Sequence, residues 1–571
     1  MTIKKSYILF TVVALVLFPR LSAAQGRPSL GVSWSIVDAV TMYGNGQYVQ
    51  AKSLLNKVVT VKPSEDAAYY YMGLCDLHLS DYKAAVSEFK KAVSIDPGNY
   101  WYRDKLAVLY SMTGNEDLAE DMFVKLLADF PGKSDLYYNL VNIYIKQKQY
   151  DKALSTLDSI ETVFGKSEEV TSTRYGILNS RNKPEEAFKA LLDYNKDNSS
   201  PTILSLLGDH EMSEYKDSSA MAYYNEALSL YKGYAPALFG KAEVFRIRRD
   251  YDNYFSVMHS VVQEDNIPSQ VKCRYISALF RQGDPRFLQT FLPRVDSLVN
   301  ECIGIYPGDT TVLQTAGLYF YSTGRNDKAK TYLRKNVELD PGSVSATATY
   351  IQFLAYTKDW KAVISESDKA LERFPEETGF LEMKNMAYYN LKEYKNVILS
   401  CEKIISIAQD DTSRTLPAYS SMGDMYHEMG DSKKAYQAYE KALKINPDYL
   451  PVLNNYAYYL SVENKKLKKA YSMSKRTIEK EPDNATYLDT FGWILHLQGL
   501  DLEAKAFFKH AMLYGGKESV TVLDHYAEVL YALKEYDLAS VYWDYAKQKN
   551  KGEIPGLEKK IKEKLDAIKG K

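Results

Sequence analysis

Ala51, Ala85, Ala119, Ala153 and Ala187 recur on one constant step of 34, a single alanine in fixed phase through the first third of the chain. Prolines keep the same step at Pro63, Pro97 and Pro131, and again at Pro307, Pro341 and Pro375. Two chemically different residues in constant phase are the mark of an internal repeat. A period of this length describes a helix-turn-helix unit that cannot bury its apolar face alone and must stack on its neighbours.

The unit Leu416 to Asp448 shows the pattern most clearly. Tyr419, Met422, Gly423 and Tyr426 share one face of a first helix, and Ala435, Tyr439 and Ala442 share one face of a second. Gly430 ends the first helix and Asp431 caps the second, while Pro447 lacks the amide hydrogen needed to extend it. Gly423 and Ala435 read as small because two backbones approach closely where the helices cross.

This arrangement of small, aromatic and proline positions resembles the tetratricopeptide repeat. The resemblance implies an all-α fold, a right-handed alpha-alpha solenoid. Val32 to Gln548 accommodates about fifteen repeats at this period. Some units depart from the pattern: Arg174 and Tyr175 replace the usual leucine and glycine, and Tyr254 stands where a small residue belongs.

The period slips twice. From Tyr254 to Ala329 the step is 75, two periods plus seven, which predicts an elongated helix or an extra turn between Pro268 and Asp309. From Val397 to Ala435 it is 38, and the excess of four is assigned to the polar stretch Gln409 to Ser413. The chain therefore reads as arrays over 32–267, 268–409 and 416–548, followed by a capping helix and basic tail over 549–571. The other reading is one uninterrupted solenoid with two bulges.

Lys4 and Lys5 precede an apolar run from Tyr7 to Phe18, and Ser22-Ala23-Ala24 supplies a small-residue cleavage site. Residues 1–24 thus read as a signal peptide, and the run is shorter than the roughly 20 residues that span a bilayer. No cysteine precedes Cys75, which excludes lipid attachment at a processed N-terminal cysteine. The expected location is periplasmic or secreted, as a soluble exported bacterial protein.

Removal of Lys4, Lys5 and Arg20 leaves 69 basic against 73 acidic residues, which argues against a nucleic-acid partner. Lys547 to Lys571 is different, with nine lysines and four acids. Leu557, Ile561, Leu565 and Ile568 recur there at helical spacing, as expected of a helix that closes the last apolar face. The alternative use of the tail is peripheral contact with an acidic membrane surface or partner.

Cys75, Cys273, Cys302 and Cys401 are expected to be four small, buried thiols. If the irregular hairpin turns near Asp284, the residue opposite Cys273 is near position 295, which leaves Cys302 about 10 Å further along, beyond disulfide reach. Catalytic signatures fail on inspection. Gly132-Lys133-Ser134 and Gly165-Lys166-Ser167 lack the earlier glycine of a phosphate loop, where Leu127 and Ile160 stand instead. His210-Glu211 and His427-Glu428 lack the second histidine of a zinc site, replaced by Glu214 and Asp431. The expectation is a protein that is not an enzyme, with no metal or cofactor.

What remains is a surface. The segments beginning at Asn454, Leu488 and Leu523 align with a step of 35, so that Asn454, Asp489 and Asp524 form one ladder and Tyr458, Trp493 and Glu528 another. By resemblance these first-helix positions, with His496 and Tyr531 a turn later, line the concave groove of the repeat array. Polar groups beside flat rings suit a peptide, and Asp489 and Asp524 left unpaired would offer it charge. Stacked Asn and Asp side chains also serve to lock repeat against repeat. The lysine-and-asparagine clamp that the family uses for terminal carboxylates is not matched, because Tyr138 stands where the lysine would accompany Asn142.

The 49 tyrosines include the runs Tyr69-Tyr70-Tyr71, Tyr137-Tyr138, Tyr223-Tyr224, Tyr388-Tyr389 and Tyr458-Tyr459, in each of which one ring enters the core and a neighbour faces outward. The function this supports is a non-catalytic scaffold or adaptor of the bacterial envelope that binds protein or peptide partners, such as envelope or secretion components. Alternatives are a carbohydrate-binding receptor using the tyrosine-rich surface, or the substrate-binding subunit of a separate enzyme. If 1–24 is a signal peptide, mass spectrometry of the protein from its native host finds a mature N-terminus at or near Gln25 in the soluble fraction; an intact Met1 terminus in the membrane pellet refutes it.

Overall fold

The computed structural model describes residues 30–281, 285–552 and 554–569; the segment 1–24, read above as a signal peptide, lies outside them. The described residues form thirty-one α-helices and one short 3-10 turn, with no strand among them. The chain divides into two compact units, Met1–Ile267 and Pro268–Lys571. The first holds seven helical hairpins, from Leu30–Gly44 with Tyr48–Val61 to Ala235–Ile247 with Tyr251–Gln263. The second holds eight, from Ser269–Arg281 with Pro285–Ile305 to Val520–Ala532 with Tyr536–Lys549, and ends in the helix Leu557–Lys569. Fifteen hairpins and a terminal helix make the chain the all-α solenoid that the period implies.

One contact recurs inside these hairpins. A Cβ placed on Gly73, Gly208, Gly423 or Gly492 would fall within 3.0 Å of the ring of Phe89, Tyr224, Tyr439 or Phe508, in each case the side chain at i+16. The small residue of the first helix is therefore a socket for a large side chain of the second. This differs from the reading that pairs Gly423 with Ala435 across touching backbones: the volume above Gly423 is filled by the Tyr439 ring, which is fully buried. Where the ring is tyrosine its hydroxyl still needs an acceptor. Tyr224 donates to Asp209 at 2.7 Å and Tyr439 to Asp424 at 2.5 Å, the acceptor following the socket glycine in both cases.

The turn between the two helices is also standardised. Gly46, Ser80, Gly114, Lys148 and Asn182 all take left-handed φ values between 57° and 77° at the repeat step, and Gly430 does so at 79°. Glycine makes that conformation easy, yet lysine and asparagine adopt it in the same slot. Packing of the flanking helices, not the local residue, imposes the turn.

Both departures from the period are taken up by helix. In the irregular hairpin the second helix, Pro285–Ile305, runs for 21 residues and kinks at Phe291 (φ −107°, ψ 17°), just ahead of Pro293. The straight-hairpin count therefore fails for the cysteines. All four are free and buried as expected, but the thiols of Cys273 and Cys302 are close enough to perturb each other's ionisation instead of lying well apart. At the second slip the excess is not loop. Thr412–Glu428 has 17 residues against 13 in Leu450–Val462, and Asp411 caps it by accepting from the Ser413 amide at 2.9 Å. Pro417 aligns with Pro451, which occupies the first turn of its helix, so the insertion adds one turn ahead of a proline. The carbonyl of Ser413 is left without the helical N–H it would otherwise accept from.

The tyrosine runs divide broadly as expected. Tyr69, Tyr137 and Tyr224 are buried while Tyr70, Tyr138 and Tyr223 are half-buried, and Tyr389 is exposed beside a half-buried Tyr388. Tyr458 and Tyr459 are the exception, with both rings half-buried.

The sockets are testable. Gly423→Ala should lower stability by about 1–3 kcal/mol, because Tyr439 is held on both sides and cannot retreat. Gly176→Ala, at a helical position with open space around the new Cβ, should be neutral or stabilising by up to about 1 kcal/mol. Denaturant melts of the two variants, followed by helical circular dichroism, check the pair.

Candidate functional site

Three successive first helices, Leu450–Val462, Ala485–Leu497 and Val520–Ala532, carry the polar ladder. Asn454, Asp489, Asp524 and Glu528 are all buried, and each meets a different partner. Asp489 Oδ1 accepts from His525 Nδ1 at 2.9 Å, between side chains that are both almost fully covered. Asp524 Oδ1 accepts from the indole N–H of Trp543 at 3.1 Å, and its Oδ2 accepts from Lys560 at 2.8 Å. Glu528 pairs with Lys560 at 2.8 Å and with Lys564 at 2.9 Å. Asp489 and Asp524 are thus not unpaired, and their partners follow the other reading, in which the acids lock one repeat to the next. A buried carboxylate is costly unless matched, and the next repeat or the terminal helix matches each one.

The terminal helix closes the array chemically as well as sterically. Leu557 and Ile561 are buried in the same apolar cluster as Trp543, Tyr526 and Phe508. One turn apart along it, Lys560 and Lys564 reach back 36 residues to Asp524 and Glu528. Burial pushes the Glu528 carboxyl up, but the two lysines outweigh it and hold it below the ordinary glutamate value. Burial likewise opposes the charge on Lys560, and Asp524 with Glu528 more than restores it. The Lys564 ammonium lies 4.7 Å from the centroid of the Tyr531 ring. These tail lysines therefore serve the cap.

The aromatic ladder is less covered. Trp493 stacks on the His525 imidazole at 4.1 Å and 15°, and its other neighbour is His496 at 5.0 Å. The Trp493 Nε1 is buried and has no hydrogen-bond partner among the described residues. His496 is held by Asp501, Nδ1 to Oδ1 at 2.6 Å. Tyr458 is 6.2 Å from His525, and its hydroxyl pKa is pushed up to about 12 by burial first and by Asp489 and Asp524 second. The structure thus brings Tyr458, Asp489 and Trp493 together around His525, with His496 beside Trp493, and Asp524, Glu528 and Tyr531 around the two lysines. Asn454 belongs to neither group. Its amide donates to Asn455 at 3.3 Å, and Asn455 in turn donates to Asp424 at 3.1 Å.

Sequence reasoning passed over His525, Trp543, Lys560 and Lys564. The constant offset of 36 from acid to lysine is the signal that could have found the lysines. It also passed over a cavity of 820 Å3 in the second unit, enclosed by the first helices Thr378–Asn390, Thr412–Glu428 and Leu450–Val462 with one flank from Tyr394–Ala408. Ser413, Arg414 and Pro417 of the inserted turn form part of its wall. Among the described residues no cluster of three or more His, Cys, Asp or Glu is placed to hold a metal, and no helix is long and apolar enough to cross a membrane.

Family models of the tetratricopeptide repeat match residues 41–100, 114–172, 310–343 and 417–449, stretches that fall in both units. With fifteen hairpins at that period, the chain is a tetratricopeptide-repeat protein. It is 25% identical over 123 residues to a TPR repeat-containing protein of Methanocaldococcus jannaschii, and 26% identical over 225 residues to Protein O-mannosyl-transferase TMTC1 of Homo sapiens. These matches take in 22% and 38% of the chain, but only 22% and 23% of the relatives' own lengths. Among solved structures, a tetratricopeptide repeat protein from Parabacteroides merdae aligns over 45% of this chain and 97% of its own, with 13% identity and a TM-score of 0.37.

Replacing Lys560 and Lys564 together by alanine would leave Asp524 and Glu528 buried and half-matched. The lysines are more than a third exposed, so the loss is discounted for solvent screening to about 1–2 kcal/mol. Hydrogen exchange should quicken first in Val520–Lys549. The Glu528 contribution, from a carboxyl held below its unfolded value, is present above about pH 4.5 and disappears as pH falls through the lower folded value. The double variant should lose that part of the acid dependence.

Proposed function

We propose that this chain is a non-catalytic scaffold or adaptor, exported to the bacterial envelope, that holds protein or peptide partners on the first-helix face of its C-terminal repeats. The observation that carries the reading is the state of Trp493. A large ring lies partly open on that face, while its indole N–H is turned inward, buried and without an acceptor among the described residues. Tyr458, His496 and Tyr531 are half-buried beside it or one repeat on, each with apolar ring surface and a polar atom. Rings of this kind, fixed by packing and partly open, are what protein interfaces use as anchors. Asp489, Asp524 and Glu528 support the site differently from the sequence reading: they hold the rings in place through His525 and the terminal helix and do not present free charge.

The envelope setting rests on the charged, apolar and small-residue segments of 1–24, and the absence of any recognisable catalytic constellation in the sequence favours a binding role. The partner's identity is approached through capture from envelope extracts. Trp493→Ala is expected to weaken retention of the captured partner by roughly 2 kcal/mol, the scale of an interface anchor. The same change removes the stack on His525, which should cost about 0.5–1.5 kcal/mol of stability and leave helical content intact. Binding measured per folded molecule on the variant decides the matter, and unchanged binding refutes the assignment of this face.

A further inference from the structure

The 820 Å3 cavity is separate from the Trp493 surface and owes part of its wall to the inserted turn. Its size lies within the roughly 300–1,000 Å3 of pockets that enclose small ligands or a few residues of chain. The polar groups on its wall are unevenly matched. Arg414 and Glu382 neutralise each other in an ion pair. Asp424 is half-buried, accepts from Tyr439 and from Asn455, and has Glu428 on the same helix face one turn further along. Burial first and the Glu428 charge last raise the Asp424 pKa, against the hydrogen bonds from Tyr439 and Asn455 that lower it. Glu428 makes no hydrogen bond or ion pair with any described residue. Asn385 also lines the wall, but its carbonyl oxygen is buried and its amide is turned to Cys401.

Two carboxylates therefore face a space whose one cation among the described residues, Arg414, is already engaged. The rest of the wall is soft and aromatic: Met386, Met425, Tyr389 and Tyr459. The Tyr459 ring is fixed from behind by His427, stacked at 3.4 Å and 18°, and burial lowers the pKa of that histidine, which favours its neutral form. A group that suits such a pocket is cationic at its tip, rich in donors and apolar along its stem. Phosphate, carboxylate and nucleic-acid ligands are disfavoured by the same acceptors.

We propose that this cavity is a second binding site, which takes a basic side chain, arginine or lysine, from an extended segment of a partner protein. The charged tip meets Asp424 and Glu428, the aliphatic stem lies along Met386 and Met425, and the tyrosine rings offer faces to the cation. The site goes beyond the Trp493 face, shares no residue with it, and stands or falls independently of it.

The test uses the full mature chain and terminally blocked pentapeptides Ala-Ala-X-Ala-Ala, with X arginine, lysine or norleucine, in isothermal titration calorimetry at neutral pH and low salt. The arginine and lysine peptides are expected to bind at least about tenfold more tightly than the norleucine peptide, which has the stem without the charge. Glu428→Gln, a change at an exposed rim position, and Asp424→Asn should each weaken the basic peptides about five- to tenfold. Trp493→Ala should leave them unaffected, which separates failure of this site from failure of the aromatic face. Binding of the basic peptides should also weaken as pH falls and Asp424 takes up its proton. Circular dichroism verifies that the variants are folded, and Glu428→Gln alone decides if Asp424→Asn is not. Equal affinity for arginine and norleucine peptides, no loss in Glu428→Gln, or binding of a neutral trisaccharide such as maltotriose in place of the peptides overturns the proposal.

Discussion

The hairpins of this protein depend on seating a large side chain of the second helix over a small residue of the first. The contact joins positions i and i+16, at Gly73 with Phe89, Gly208 with Tyr224, Gly423 with Tyr439 and Gly492 with Phe508. It sets the distance between the two helices, and that distance then forces the tight left-handed turn joining them, whichever residue stands there. Close packing explains why the device recurs in these four hairpins. A ring that fits a socket has many weak contacts at once, and a socket filled by even one methyl group loses them.

A stack of such hairpins has two ends, and the C-terminal end shows how burial and charge are reconciled. Trp543 fills the last core, and its N–H needs an acceptor, which Asp524 supplies. A buried carboxylate then needs a cation, and the terminal helix delivers Lys560 to it and Lys564 to Glu528. Apolar cover and charge neutralisation arrive on the same helix, because Leu557 and Ile561 are placed on its buried face and the lysines beside them. One helix thus ends both the hydrophobic stripe and the polar ladder.

Irregularity is handled by lengthening helices. The 21-residue helix with Pro293 and the 17-residue helix with Pro417 each absorb extra residues without opening a long loop. Inserted turns leave backbone and side chains without their usual neighbours. In the first case two cysteines from facing helices come together, and in the second a cavity opens beside Pro417. Both features belong to the places where the period fails, which is where a repeat protein can acquire properties that its units do not share.

The fold was legible in the chain because its determining contacts are local and periodic: alanine and proline positions at a step of 34, glycine at the turn, and one apolar face per helix. Those residues fixed the hairpin, the number of repeats and the closing helix without reference to anything distant. The ladder was visible too, as Asn454, Asp489 and Asp524 in register, but its chemistry was not. Whether a carboxylate is free or matched depends on side chains 19 to 36 residues away, and only stacking brings His525 to Asp489, Trp543 and Lys560 to Asp524, and Lys564 to Glu528. The meeting of Cys273 with Cys302 and the cavity by Glu428 were beyond the sequence for a related reason. A one-dimensional pattern records where its period breaks, but the path by which a kinked or lengthened helix rejoins the stack is decided by packing in three dimensions.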